Sequence, residues 1–175
     1  LLIMTGGCAI NCRYCFRRNF PYADAVGSKR LSMALQQLKS DISITEIILS
    51  GGDPLLLDDD QIGELLDQIE AIPQIARLRI HTRLPVTIPT RITDSLVQRL
   101  SDRRFDCVIV FHANHANEID QELEFGCERL RREGITLLNQ SVLLDRVNAD
   151  AHVLANLSET LFSAGILPYY VHLLD

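Results

Sequence analysis

Short apolar runs alternate with amphipathic stretches along the whole chain. LLIMTG at the start predicts a buried strand, and EIILSGGD, RLRIHTR, FDCVIVFHAN, ITLLNQSVLL and LPYYVHLLD predict five more. Between them, LSMALQQLKSD, DDDQIGELLDQIEAI, TDSLVQRLSD, NEIDQELEFGCERLRREG and ADAHVLANLSETLFSAG carry helical spacing. Acidic residues open the second helix, Thr93 or Asp94 heads the third, and a glycine closes the fourth, as helix ends prefer. The pattern predicts an α/β fold of about six βα units, a parallel sheet covered by helices. Right-handed crossovers curl such a sheet into a barrel or partial barrel; an open doubly wound sheet is the alternative. Residues 1–175 are expected to form one domain, with no repeats and no internal linker. Both ends fall inside strand-like runs and Leu1 is not a start methionine, so a segment of a longer protein is expected, its N- and C-terminal parts lying outside.

Composition narrows the class. Of the 175 residues, 47% are hydrophobic and 23% charged, which is globular. No apolar run approaches the roughly 20 residues of a membrane helix, and a net charge of −6 argues against a nucleic-acid binder. Neither a membrane nor a nucleic acid is therefore expected as partner. Fifteen arginines stand against two lysines, Lys29 and Lys39. Arginine's planar fork suits carboxylates and phosphates, but genome composition gives the same bias.

The polar residues gather where strands end: Ser50–Asp53, His81–Arg83, His112–Asn117, Asn139–Ser141 and Asp175. In α/β architectures that edge carries the active site. The stretch GGCAINCRYCFRR follows the first strand onto the same edge, with Cys8, Cys12 and Cys15 spaced by three residues and then two. Disulfides between such near neighbours would be strained, so a metal site in a reducing, cytoplasmic compartment is the better reading. Structural zinc usually shows two separated ligand pairs, whereas here three ligands come from one loop. Three local thiolates suit three irons of a [4Fe–4S] cluster and leave the fourth iron open. Cys107 and Cys127 lie inside strand and helix patterns and read as small buried residues.

Cys8-x3-Cys12-x2-Cys15, with Tyr14 before the last cysteine, resembles the signature of radical S-adenosylmethionine enzymes. The resemblance implies that these cysteines hold a [4Fe–4S] cluster, that S-adenosyl-L-methionine chelates the fourth iron, and that Tyr14 lies near the adenine. SGGDPLL resembles the glycine-rich motif that binds the methionine amino group, which gives that role to Ser50, Gly51, Gly52 and Asp53. Together CRYCFRRNFPY, SGGDPL, RIHTRLPVTIPTRIT, NHANE, LLNQSVLL and PYYVHLLD resemble the lysine 2,3-aminomutase family, and CFRR with HANHANE its elongation factor P branch.

By that resemblance His112 and Gln140 contact S-adenosylmethionine, Arg17 holds the substrate carboxylate, and Asp175 pairs with the substrate ε-ammonium. A polar side chain at a strand end also serves simply as a backbone cap. Arg83 reads equally as an anion clamp or a structural residue, and His81, His115 and His172 carry no assigned role. The implied activity is an isomerase that converts L-lysine to (R)-β-lysine for elongation factor P, with pyridoxal 5′-phosphate as third cofactor and an external electron donor. Lys29 and Lys39 read as surface lysines, so the lysine that bears pyridoxal phosphate is expected outside this chain, and the segment alone is expected to be inactive. Another radical enzyme, of activase or methylthiolase type, and a non-enzymatic zinc module are the alternatives.

Overall fold

The structure is a computed structural model that describes residues 1–22 and 26–173. Six strands form one sheet: β1 Leu2–Thr5, β2 Glu46–Gly51, β3 Arg77–Thr82, β4 Asp106–His112, β5 Thr136–Val142 and β6 Leu167–His172. Among the described residues, five helices of seven or more residues alternate with them: α1 Ser28–Ser40, α2 Asp59–Glu70, α3 Asp94–Leu100, α4 Gln121–Arg132 and α5 Ala151–Ser163, and a single helical turn, Leu84–Thr87, follows β3.

Every neighbouring pair is parallel, and the strand order is the sequence order, β1 to β6. That order decides between the two expected architectures. A doubly wound sheet must reverse direction once, whereas five same-handed crossovers in one direction put the crossover helices on one face and curl the sheet. The fold is a partial (β/α)6 barrel. A hydrogen bond of 3.2 Å from Arg79 in β3 to the Tyr169 hydroxyl in β6 reaches across its concave face.

Strand alternation sorts the two faces. Ile47, Leu49, Leu78, Ile80, Ile109, Phe111 and Leu137 are buried in the hydrophobic core against the helices. Glu46, Ile48 and Ser50, then Arg77, Arg79 and His81, point the other way and are only partly buried or exposed. The register His81↔Val110 and His112↔Gln140 sets His81, His112 and Gln140 on the same concave face, near the C-terminal edge.

Helix ends follow local chemistry. Asp58 and Gln61 close a capping box on α2, and Thr93, not Asp94, caps α3 through the Leu96 amide at 2.9 Å. The stretch expected to start the fourth helix divides in two: Ala116–Glu118 make a 3-10 turn closed by His115 and Glu118, and Asp120 caps α4 separately.

Much of the arginine excess is structural. Arg91 donates to the carbonyls of Leu55 (2.6 Å) and Leu57 (2.9 Å) and to Asp59 (2.7 Å). Arg104 donates to the carbonyls of Ile72 (2.9 Å) and Ile75 (2.8 Å) beyond the end of α2. Arg129 binds Asp94 and the Ile92 carbonyl. A guanidinium fork can serve several acceptors at once, which an ammonium cannot do in plane. Among the described residues, no helix is long and apolar enough to cross a membrane.

Candidate active site

The cysteine loop leaves β1 and is fastened to the end of β2 backbone to backbone. The Gly52 amide donates to the Thr5 carbonyl at 2.8 Å, and the Asp53 amide to the Gly7 carbonyl at 2.9 Å. Glycine is required there by close approach: a Cβ on Gly52 would lie 1.9 Å from the Gly7 oxygen, and one on Gly51 2.4 Å from the Thr5 oxygen. Gly51 also has φ +131, outside the range that side-chain-bearing residues adopt readily. Turns then stack the loop, with Cys15 N to Cys12 O and Arg18 N to Cys15 O each at 3.2 Å.

The three loop sulfurs occupy different settings. Cys8 is half-buried and donates to the Ile10 carbonyl at 3.0 Å; burial pushes its thiol up, and Asp53, Cys12 and Cys15 add to the rise. Cys12 accepts a hydrogen bond from Arg83 Nη1 at 3.2 Å. Cys15 is exposed, and all five cysteines are free. Among the described residues, no three Cys, His, Asp or Glu side chains converge on a point that would hold one metal ion.

Asp53 is buried among scaffold donors. Its carboxylate accepts from Thr82 Oγ1 (2.7 Å) and the amides of Leu55 (3.0 Å), Arg83 (2.8 Å) and Leu84 (3.0 Å). Burial pushes its carboxyl above the usual range, against the pull of those bonds. The structure thus gives the Asp53 side chain the work of joining the ends of β2 and β3. Ser50 faces the concave side and accepts from Arg17 Nη1 at 2.6 Å, which also reaches the Gly51 carbonyl at 3.3 Å. The Arg17 guanidinium lies 5.1 Å from the Phe16 ring centre. Arg17 therefore stands at the rim, beside the glycine motif. Asp175 lies outside the described residues.

His81 and His112 hold neutral imidazoles. Burial lowers both to about 4, helped by Arg79 for His81 and by Arg83 for His112. Gln140 opposes that trend at His81, favouring its protonated form. The Nε2 atoms of His81 and His112 and the Nε of Arg83 are buried without a partner. Tyr14 packs beside His112, ring centres 5.5 Å apart, and its hydroxyl accepts from Asn114 at 2.6 Å. Asn139 and Ser141, expected on the active edge with Gln140, instead face the helix side and bond the Ala113 backbone.

Comparison with known proteins decides the family: the description "Radical SAM superfamily" matches residues 2–156. The chain belongs to the radical SAM superfamily. It is 53% identical over 176 residues to L-lysine 2,3-aminomutase of Escherichia coli (strain K12), across 100% of this chain and 52% of that protein. It is 35% identical to L-lysine 2,3-aminomutase of Clostridium subterminale, across 100% of this chain and 42% of that protein. It is also 35% identical to glutamate 2,3-aminomutase of Clostridioides difficile (strain 630), across 98% and 41%. The chain thus spans about half the length of these relatives. The Streptococcus suis SuiB structure bound to precursor peptide SuiA shares the fold, with TM-score 0.71, 16% identity and coverage of 99% of this chain and 39% of that one.

The radical SAM site fits its two cofactors by donor chemistry. Each cysteine of a cubane cluster binds a different iron, so three thiols on one loop need not converge on a point, as a zinc ion would demand. The unpartnered nitrogens of His81, His112 and Arg83 lie on the same edge and suit a polar cosubstrate. The sequence alone gives Glu118, Asn114 and Asn148 no role and leaves Arg83 open between anion clamp and structural residue. Glu118 pairs with Arg83 at 2.8 Å. Asn114 joins Tyr14 to the Val142 amide, and Asn148 joins Asn114 to Val142. The available signal was a polar residue in the turn that follows a strand.

Proposed function

We propose that this chain is the cluster- and S-adenosylmethionine-binding core, a single domain over residues 1–175, of an L-lysine 2,3-aminomutase that makes (R)-β-lysine for elongation factor P. The observation that carries this reading is the 53% identity along the whole chain to a protein named L-lysine 2,3-aminomutase, with the cysteine loop and Arg17 side by side on the concave edge.

Together, a [4Fe–4S] cluster, S-adenosylmethionine and pyridoxal phosphate supply radical generation, hydrogen abstraction and migration of the amino group between adjacent carbons. The chain's own residues bind and orient. Cys8, Cys12 and Cys15 provide thiolates. The backbone of Ser50, Gly51 and Gly52 borders the cosubstrate, with Tyr14 beside its base. Neutral His112 and Gln140 offer hydrogen bonds without adding charge. Arg17, steadied by Ser50, presents a fixed cation to the substrate carboxylate. Asp175 receives the far ammonium group, so that both ends of lysine are anchored. The setting is cytoplasmic, with an external one-electron donor.

The test supplies isotopically labelled L-lysine and L-glutamate separately to the full-length protein, under anaerobic conditions with reductant. Label appearing in β-lysine supports the reading, and turnover of glutamate alone refutes it. Arg17→Met should weaken lysine binding far more than S-adenosylmethionine binding.

A further inference from the structure

Among the described loop cysteines, Cys12 is the one whose sulfur accepts a hydrogen bond from a cationic side chain. Arg83 Nη1 donates to it at 3.2 Å. The opposite prong, Nη2, is held by Glu118 Oε2 at 2.8 Å. The guanidinium also lies over the Tyr14 ring at 5.6 Å, and the Arg83 amide is fixed by Asp53 at 2.8 Å. Glu118 is itself locked, because its other oxygen accepts from the amides of Asn114 (2.7 Å) and His115 (3.0 Å). Both side chains are mostly shielded, 18% and 23% exposed. The guanidinium can hardly swing away, since it is bonded at two prongs and stacked on a ring.

We propose that Arg83 is a positioning residue for the iron–sulfur cluster. It fixes the Cys12 sulfur and raises the reduction potential, and Glu118 acts as a partial counterweight. The inference rests on the reading of Cys8, Cys12 and Cys15 as cluster ligands. When one electron passes from a low-potential one-electron donor to the [4Fe–4S]2+ state, the cluster gains a negative charge and no bond is made or broken. A cation that donates N–H to a ligand sulfur stabilises that added charge. Glu118 stands one guanidinium further off, so its opposing effect is the smaller.

The experiment reconstitutes wild type, Arg83→Gln, Arg83→Lys and Glu118→Gln anaerobically with iron and sulfide. Iron and acid-labile sulfide are counted, and the reduced cluster is followed by EPR against solution potential with dithionite. Arg83→Gln should keep its iron while the reduction equilibrium moves about tenfold toward the oxidised state, which is 59 mV for one electron. Arg83→Lys should fall between it and wild type. Glu118→Gln should move the other way, because it removes the counterweight and leaves the guanidinium. A purely structural contact would move both variants alike or not at all. An iron-replete Arg83→Gln at the wild-type potential overturns the proposal, and so does a downward shift in Glu118→Gln. If Arg83→Gln assembles no cluster, Glu118→Gln decides: an upward shift supports the proposal, and any other result overturns it. A wild type that takes up no iron and sulfide refutes the cluster reading itself, and this inference with it.

Discussion

Replacing Gly52 by alanine tests how the cysteine loop is built. The new Cβ would sit 1.9 Å from the Gly7 oxygen and 3.0 Å from the Gly6 carbonyl carbon. Backbone on both sides leaves nothing flexible to yield, so the loop must retreat by about 1 Å. That retreat breaks or stretches the two bonds joining Gly52 to Thr5 and Asp53 to Gly7, worth about 0.5–1.5 kcal/mol each. Overpacking adds about 1–3 kcal/mol, so the expected loss is about 2–6 kcal/mol, against about 5–15 kcal/mol of total stability for a typical domain. The chain has no tryptophan, so far-UV circular dichroism is the probe for thermal and urea unfolding. At about 2–4 °C per kcal/mol for a chain of this size, the fall in Tm should be plain, and iron uptake should drop with it. Gly63→Ala is the control: its Cβ meets the end of the Arg99 side chain, which can swing aside, and alanine favours helix by about 1 kcal/mol. A Gly52→Ala protein with wild-type Tm and full iron content would show that the glycine is not needed for this contact.

Removing Cys8, Cys12 or Cys15 by alanine should each abolish iron and sulfide incorporation, whereas Cys107→Ala and Cys127→Ala, buried thiols pushed up to about 12 by desolvation, should keep it and cost about 1 kcal/mol; a full cluster signal in the Cys12 variant contradicts the ligand assignment. Asp53→Asn places an amide nitrogen against donors it cannot accept from, and one or two buried N–H groups left unpaired at about 1–3 kcal/mol each should appear as a lower urea midpoint without change in slope. His112 is held near 4 in the fold against 6.5 when free, so the unfolded chain takes up the proton first. Its contribution, about 3 kcal/mol at most, is present above pH 6.5 and lost as pH falls toward 4. His112→Asn should flatten that part of the stability–pH curve, and an unchanged slope would count against a buried neutral imidazole.

The fold was legible because strand and helix periods differ sharply here, and β4, with five consecutive buried residues, reads as a central strand even in isolation. Sheet order was not legible. Period-two alternation says which residues share a face, but only the continuous β1-to-β6 order says that all helices lie on one side. The same limit explains Asn139 and Ser141: polar letters at a strand end look like site residues until their neighbour's parity puts them behind the sheet. The cysteine loop was legible from spacing. The Arg83–Glu118 pair was not, because 35 residues separate its members and only the fold brings the turn after β4 over the turn after β3.

Arg91, Arg104 and Arg129, the arginines that bind the scaffold carbonyls between elements, reach backward along the chain. Arg91 grips the segment between β2 and α2, Arg104 grips the end of α2, and Arg129 grips the start of α3. Each carbonyl is therefore exported from the ribosome before the guanidinium that will hold it. During synthesis a newly emerged βα unit meets a finished docking surface on its predecessor, so assembly can run in one direction with few wrong partners on offer. The price is a strict dependence on order: a circular permutant opened immediately before β3 would deliver Arg91 and Arg104 ahead of what they clamp.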